Sequence, residues 1–210
     1  MSSRGITRTS VIVFAREPRA GHVKTRLIPL LGAAGAARLH ARLVRRALAT
    51  AHEARLGEVE LWGLRRQRGA DLGARMLHAL RQGLRRAERV ILIGADCPAL
   101  GAPALRQAAR WLAGGADAVF APAEDGGYAL IALRRLSPRL FDGMPWGGAQ
   151  VMAQTRARLE ALGWRWRELA EVWDVDRPED VQRLATLRPP LNHRAPAFFM
   201  SAATRSAIRR

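Results

Sequence analysis

Short apolar runs alternate along this chain with stretches whose apolar residues recur every three or four positions. The runs at 11–15 (VIVFA), 59–64 (VELWGL), 90–93 (VILI), 118–121 (AVFA) and 128–133 (YALIAL) read as strands. The run at 90–93 has no polar interruption, as expected of a central strand buried on both faces. Between the strands, Leu39, Leu43, Ala47 and Ala51 share one helix face, with Arg38, Arg42, Arg45 and Arg46 turned out. Leu72, Met76, Leu80 and Leu84 define a second helix, with Asp71 placed to cap it. Pro103 opens a third, bearing Leu105, Ala108, Ala109 and Leu112 on one face. Residues 149–162 and 177–187 read as two more helices.

This alternation predicts an α/β fold, a central mixed, mostly parallel sheet flanked by helices. The 210-residue length suits a single core, placed here over 1–187. Residues 188–210 carry R-P-P-L-N-H-R-A-P and a basic end, and read as a flexible tail with no core of its own.

Composition narrows the function classes. No uninterrupted apolar run reaches the roughly 18 residues that span a bilayer. The first ten residues hold no secretory apolar stretch. The expectation is a cytoplasmic protein with no membrane partner. The one cysteine, Cys97, excludes an internal disulfide and a Cys-based zinc site, and reads as a small buried filler. The net charge of +17 is spread as Arg along helix faces. There is no RNA-binding signature, zinc-finger spacing or aromatic interleaving, so no specific nucleic-acid partner is expected. Weak polyanion binding at low salt stays open as a second reading.

Of 35 Lys and Arg residues, one is a lysine: Lys24, in the loop G-H-V-K-T-R-L after the first apolar run. A compact ammonium differs from a planar guanidinium, and phosphate-cradling loops often use the point charge. Gly21 permits close backbone approach, Thr25 adds a hydroxyl and Arg26 a second cation. The loop reads as a receiver for nucleotide phosphates.

Three acidic motifs follow strands. In I-L-I-G-A-D-C-P-A-L, Asp96 lies just past a buried strand, where a carboxylate can ligate Mg²⁺ or Mn²⁺ or merely cap a turn. In A-P-A-E-D-G-G-Y, Glu124 and Asp125 offer carboxylates at one rim, and Gly126 and Gly127 suit either a ligand approach or an ordinary hairpin turn. Tyr128, the only tyrosine, opens the next strand. In V-W-D-V-D-R-P-E-D-V, Asp174 and Asp176 leave the same face of an extended stretch. Asp176 and Glu179 also have capping-box spacing, which makes Asp174 the stronger ligand candidate. The chain has no P-loop motif and no dinucleotide-binding glycine fingerprint.

F-A-R-E-P-R-A-G-H-V-K-T-R-L, G-A-D-L-G-A-R-M, L-I-G-A-D-C-P-A-L, P-A-E-D-G-G-Y-A-L-I and D-V-D-R-P-E-D, in this order, resemble a bacterial family of glycosyltransferase-A-type transferases. Its members are often labelled arsenosugar-biosynthesis-type glycosyltransferases. They are similar to 2-phospho-lactate guanylyltransferases and, more distantly, to molybdenum-cofactor guanylyltransferases. The resemblance covers about residues 10–187.

It implies the nucleotide-diphospho-sugar transferase fold, a nucleoside triphosphate or nucleotide-sugar as donor, a small-molecule acceptor and a divalent metal. Carried onto this sequence, it gives Arg16, Lys24 and Arg26 phosphate roles, with Asp71 and Arg75 near the nucleotide. Asp96 takes the metal role with Asp174 or Asp176, and Asp125, Gly126, Gly127, Tyr128 and Trp146 lie on the acceptor side. Arg16 stands where the family's lysine is expected, and Ala95 replaces the first residue of a T-D-C-P motif. Gly147 and Gly148 replace a Ser-Thr pair after the tryptophan, removing two hydroxyls on the acceptor side. The expected function is metal-dependent nucleotidyl or glycosyl transfer. A non-catalytic nucleotide-binding relative is the alternative.

Overall fold

A computed structural model describes residues 9–187. The tail expected over 188–210 lies outside the described residues. Six strands form one sheet: β1 (Ser10–Phe14), β2 (Val59–Trp62), β3 (Val90–Gly94), β4 (Ala118–Pro122), β5 (Tyr128–Leu133) and β6 (Trp166–Glu168). Their order is β2-β1-β3-β5-β4-β6. β5 runs antiparallel to its neighbours β3 and β4, and every other pairing is parallel. The mixed, mostly parallel sheet is as the alternation predicts.

The helices are α1 (Ile28–Ala54), α2 (Leu72–Leu84), α3 (Ala102–Ala113), α4 (Val151–Ala161) and α5 (Pro178–Arg183). Successive strand residues point to opposite faces, so each central strand supplies two cores. Val11, Val13, Ile91, Ile93, Val119 and Leu130 pack with Leu105, Ala108 and Leu112 of α3. Ile12, Val90, Leu92, Phe120, Ile131 and Leu133 pack on the other face with Met76 and Leu80 of α2 and Met152 and Leu159 of α4.

Four local details differ from the sequence-based expectations. β2 ends at Trp62, because Gly63 already accepts the backbone N–H of Arg66 in a turn. α1 begins well before its predicted face and breaks at Gly32, whose φ of 68° and ψ of 161° leave the helical region. Residues 25–54 are long and apolar enough to cross a membrane by length and composition. The Gly32 break and the burial of Leu39 and Leu43 against α5 and its approach make α1 a core helix instead. β6 was not expected; it is a three-residue edge strand with no fully buried residue. The last helix is shorter than 177–187, since residues 184–186 tighten into a 3-10 turn.

Candidate active site

A cavity of about 710 Å³ opens at the C-terminal edge of the parallel strands, where open α/β sheets ordinarily bind ligands. The ends of β1, β3 and β4 reach it, and antiparallel β5 starts there, which brings Tyr128 to the same rim. Arg16, Lys24, Thr25, Arg26 and Arg75 lie on its wall. So do Asp96, Asp125, Asp174 and Asp176, and Gly127, Tyr128, Trp146, Gly147 and Gly148.

Gly21, Asp71 and Gly126 are off the wall, each for a local reason. Asp71 spends its carboxylate as the N-cap of α2, accepting from the Ala74 N–H at 2.7 Å. Gly126 adopts φ +87°, and a Cβ there would run into the Ala149 carbonyl. Gly21 takes φ +80° in the approach to the Lys24 loop with nothing near its missing side chain.

Lys24 is not a solvated cation. Its side chain is 5% exposed, and its ammonium lies 2.8 Å from Asp96 Oδ1. The residue adopts φ 49°, uncommon outside glycine, at the start of the short 3-10 turn Thr25–Leu27. His40, buried on α1, lies with Nδ1 3.7 Å from the same Asp96 oxygen and hydrogen-bonds the Arg16 carbonyl through Nε2 at 3.0 Å. Burial alone would raise the Asp96 carboxyl. The Lys24 ammonium and the His40 ring reverse this and hold it well below the usual carboxylate range.

The backbone brings the late acidic motif to Asp96. Val175 N–H donates to the Asp96 carbonyl at 2.9 Å, which sets Asp174 and Asp176 beside the end of β3. Asp174 differs from Asp96 in its electrostatics: burial raises its carboxyl, and the charge of Asp125 adds to that, against Lys24. Burial likewise pushes the Cys97 thiol well up, with Asp96, Asp174 and Asp125 reinforcing it. Cys97 is not the fully buried filler expected, since it is part-buried and lies on the cavity wall, but these influences favour its neutral thiol.

The capping box expected between Asp176 and Glu179 does not form. Asp180 caps α5 instead, its Oδ2 accepting from the backbone N–H groups of Arg177 at 2.7 Å and Asp176 at 3.0 Å. The Asp176 carboxylate pairs with Arg26 across the cavity mouth. Glu124 also departs from the expected rim: both its oxygens accept from Arg183, on the far side of the hairpin.

The wall around Tyr128 and Trp146 is aromatic. Trp146 stacks on Phe141 at 6.4 Å and meets Tyr128 edge-on at 6.4 Å. Gly73 is why the G-A-D-L-G-A-R-M motif needs its second glycine, since a Cβ there would lie 2.6 Å from Trp146 Nε1. Gly69 serves a similar close approach, and its carbonyl accepts from Arg75 Nε at 3.2 Å.

Sequence reading missed His40 and Gln67. His40 sits among the apolar residues of α1, and a lone histidine there gives no signal beyond its polarity. Gln67 lines the cavity and ties the ends of β1 and β2 together, its Nε2 donating to Ala15 O at 3.1 Å and Trp62 O at 2.9 Å.

Among the described residues, no three His, Cys, Asp or Glu side chains gather closely enough to hold a metal ion unaided. The residues still suit a hard cation of the Mg²⁺ type, which takes one or two carboxylates and completes its shell with phosphate and water. Asp125 and Asp174 crowd two negative charges at one rim, an imbalance that such a cation relieves.

A family of uncharacterized proteins conserved in bacteria, DUF2064, has a model that matches residues 30–148, more than half of this chain. The chain belongs to that family. No curated protein matches it. Its fold is similar to that of a protein from Desulfovibrio desulfuricans G20 provisionally named a nucleotide-diphospho-sugar transferase. The two are 28% identical with a TM-score of 0.78, over 96% of this chain and 94% of the other. The DUF2064 chain thus has the nucleotide-diphospho-sugar transferase fold. Weaker likenesses are to a cytidylyltransferase from Leptospira borgpetersenii serovar Hardjo-bovis, 11% identical with a TM-score of 0.49 over 97% and 94% of the two chains. Another is to Rv0371c from Mycobacterium tuberculosis H37Rv in complex with manganese, 20% identical with a TM-score of 0.43 over 85% and 98%. Neither is near enough for a residue-level comparison.

Proposed function

We propose that this protein is a metal-dependent transferase that binds a nucleoside triphosphate or nucleotide-sugar by its phosphates and transfers a nucleotidyl or glycosyl group to a small acceptor. One observation carries the reading: a cationic wall and four carboxylates meet in a single cavity at the ligand-binding edge of the sheet. Arg16, Arg26 and Arg75 receive phosphate oxygens. Lys24 is held by Asp96 at the boundary between the cations and the carboxylates, where charge on a departing phosphate develops. Asp96, Asp125 and Asp174 would hold Mg²⁺ or Mn²⁺, while Asp176 is engaged by Arg26. When bound, the cation supplies charge neutralisation on the phosphates and the leaving group.

The acceptor lies against Tyr128, Trp146 and the Gly147–Gly148 turn. In nucleotidyl transfer its oxygen attacks the α-phosphorus and pyrophosphate leaves. In glycosyl transfer it attacks the anomeric carbon and a nucleoside diphosphate leaves. Neither requires a covalent protein nucleophile, in keeping with the neutral Cys97 thiol.

The test is a thermal-shift panel of nucleoside triphosphates and nucleotide-sugars, each with Mn²⁺ and with chelator. Binding to the folded state raises the melting temperature by mass action. At least one nucleotide is expected to stabilise the protein more with Mn²⁺ than without. A panel with no metal-dependent shift overturns the proposal. A polyanion-binding surface would instead respond to any polyphosphate and lose that response steeply in salt.

A further inference from the structure

Asp125 and Asp174 come from distant parts of the chain, and neither lies in a strand or helix: Asp125 sits in the β4–β5 turn and Asp174 between β6 and α5. Two backbone hydrogen bonds, which together make one parallel bridge, bring the segments together. Across the bridge between Ala123 and Val172, Glu124 N–H donates to Val172 O at 3.0 Å, and Val172 N–H donates to Pro122 O at 2.9 Å. This narrow seam fixes the backbones but not the side chains that leave them.

The side chains are joined at one residue. Arg183, the last residue of α5, donates from Nη1 to Glu124 Oε2 at 2.7 Å and from Nη2 to Glu124 Oε1 at 2.8 Å. Its guanidinium also lies over the Trp173 ring, 4.5 Å from the centroid. Glu124 immediately precedes Asp125, and Trp173 immediately precedes Asp174. Asp125 and Asp174 line the cavity while Glu124 and Trp173 do not. In each pair, then, the first residue meets Arg183 and the second lines the cavity.

We propose that Arg183 is a positioning residue that fixes the spacing of Asp125 and Asp174, by gripping the residue ahead of each on the outer side of the seam. Two demands meet in it: a planar fork that matches a carboxylate and a flat face that stacks on an aromatic ring. Arginine satisfies both at once and lysine does not. Arg183 is itself held, because Val181 and Leu184 beside it are buried with Leu27, Leu39, Leu43 and Val175. The same anchor thus supports the Lys24 turn and the clasp, although α5 puts no side chain on the cavity wall. The inference rests on the metal-site reading above.

The experiment measures Mn²⁺ binding to the full chain by the paramagnetic resonance signal of free Mn²⁺. Pyrophosphate binding in chelator is measured on the same samples as a readout of the cationic wall alone. Arg183→Ala is expected to weaken Mn²⁺ binding about 10-fold, the usual scale for removing an outer partner of a metal ligand, while pyrophosphate affinity in chelator stays at the parent value. Arg183→Lys keeps the charge and loses the fork and the stacking, so it is expected to fall with Arg183→Ala. Glu124→Gln loosens one arm, gives a smaller loss, and serves if Arg183→Ala does not fold. Parent-like Mn²⁺ affinity in Arg183→Lys and Glu124→Gln overturns the clasp and leaves the metal site standing. Equal losses of Mn²⁺ and pyrophosphate binding also overturn it, since they mark a general loosening of the fold. A parent protein that binds no Mn²⁺ overturns the metal reading and the clasp together.

Discussion

Lys24 and Asp96 neutralise each other inside the protein, ammonium to carboxylate at 2.8 Å, with the lysine side chain 5% exposed and the aspartate side chain 49% exposed toward the cavity. The chain keeps its only lysine at this enclosed place, where a compact ammonium meets a single carboxylate oxygen. The exposed half of this pair, the Asp96 carboxylate, faces the cavity.

Replacing Lys24 with Met is expected to reverse the pH behaviour of Asp96. In the parent, the depressed carboxyl contributes stability above the ordinary carboxylate range, and this is lost as pH falls through its lowered value. Without Lys24, burial, the largest influence, is opposed by His40 alone, and the carboxyl rises. The variant should lose roughly 1–2 kcal/mol at neutral pH, less than a fully buried pair because Asp96 is half open. A carboxyl NMR titration follows Asp96 directly, and an unchanged titration sinks the assignment. Lys24→Arg should lower nucleotide affinity about 10-fold, since the planar fork does not replace the point charge.

Asp96→Asn and Asp174→Asn are expected to abolish the Mn²⁺-dependent part of nucleotide affinity, because a hard cation needs the carboxylate charge. Asp176→Asn should be milder, as its carboxylate is engaged with Arg26 and the cap of α5 belongs to Asp180. Calorimetric titration with Mn²⁺ and with chelator ranks the three. A ranking with Asp176 first would move the metal site to the cavity mouth.

Asp174→Asn carries a second, opposite effect on the metal-free protein. Burial and the Asp125 charge raise the Asp174 carboxyl, so its ionised form costs stability once pH exceeds the folded value. The variant should melt higher than the parent at neutral pH in chelator, on the order of 1–3 °C. That gap should narrow on acidification and reverse in excess Mn²⁺. A variant that melts lower than the parent in chelator contradicts the charge crowding.

Gly126→Ala tests the hairpin. The position combines φ +87° with a Cβ that would meet the Ala149 carbonyl, and both are backbone constraints with no side chain free to yield. A loss of about 2–4 kcal/mol is expected, read from chemical denaturation. A loss below about 1 kcal/mol would mean that the turn can rearrange.

The buried strands were legible because each central strand is apolar on both faces, and Asp71 was legible as a cap because its spacing to α2 is local. Asp96, Asp174 and Asp125 were nominated by their places after strands, and all three line one cavity. What the sequence hid is non-local. β6 has three residues and one apolar side chain, too little pattern to mark an edge strand. Asp176 and Glu179 had the right spacing for a cap, but Asp180 reaches back to two N–H groups and wins. The partners of Lys24, Glu124 and Asp176 lie far along the chain, and composition says nothing about who meets whom.

The Val175–Asp96 backbone bond and the Arg183 clasp also constrain when the protein acquires its chemistry. The sheet from β1 to β5 can be laid down while the later residues are still being made. The acidic half of the cavity stays incomplete until residues 172–183 dock, and these are among the last of the described chain to leave the ribosome. Until then neither the Lys24 turn, which packs on α5 through Leu27, nor the Asp125–Asp174 pair is held in place. Ligand binding reports that the C-terminal segment has arrived.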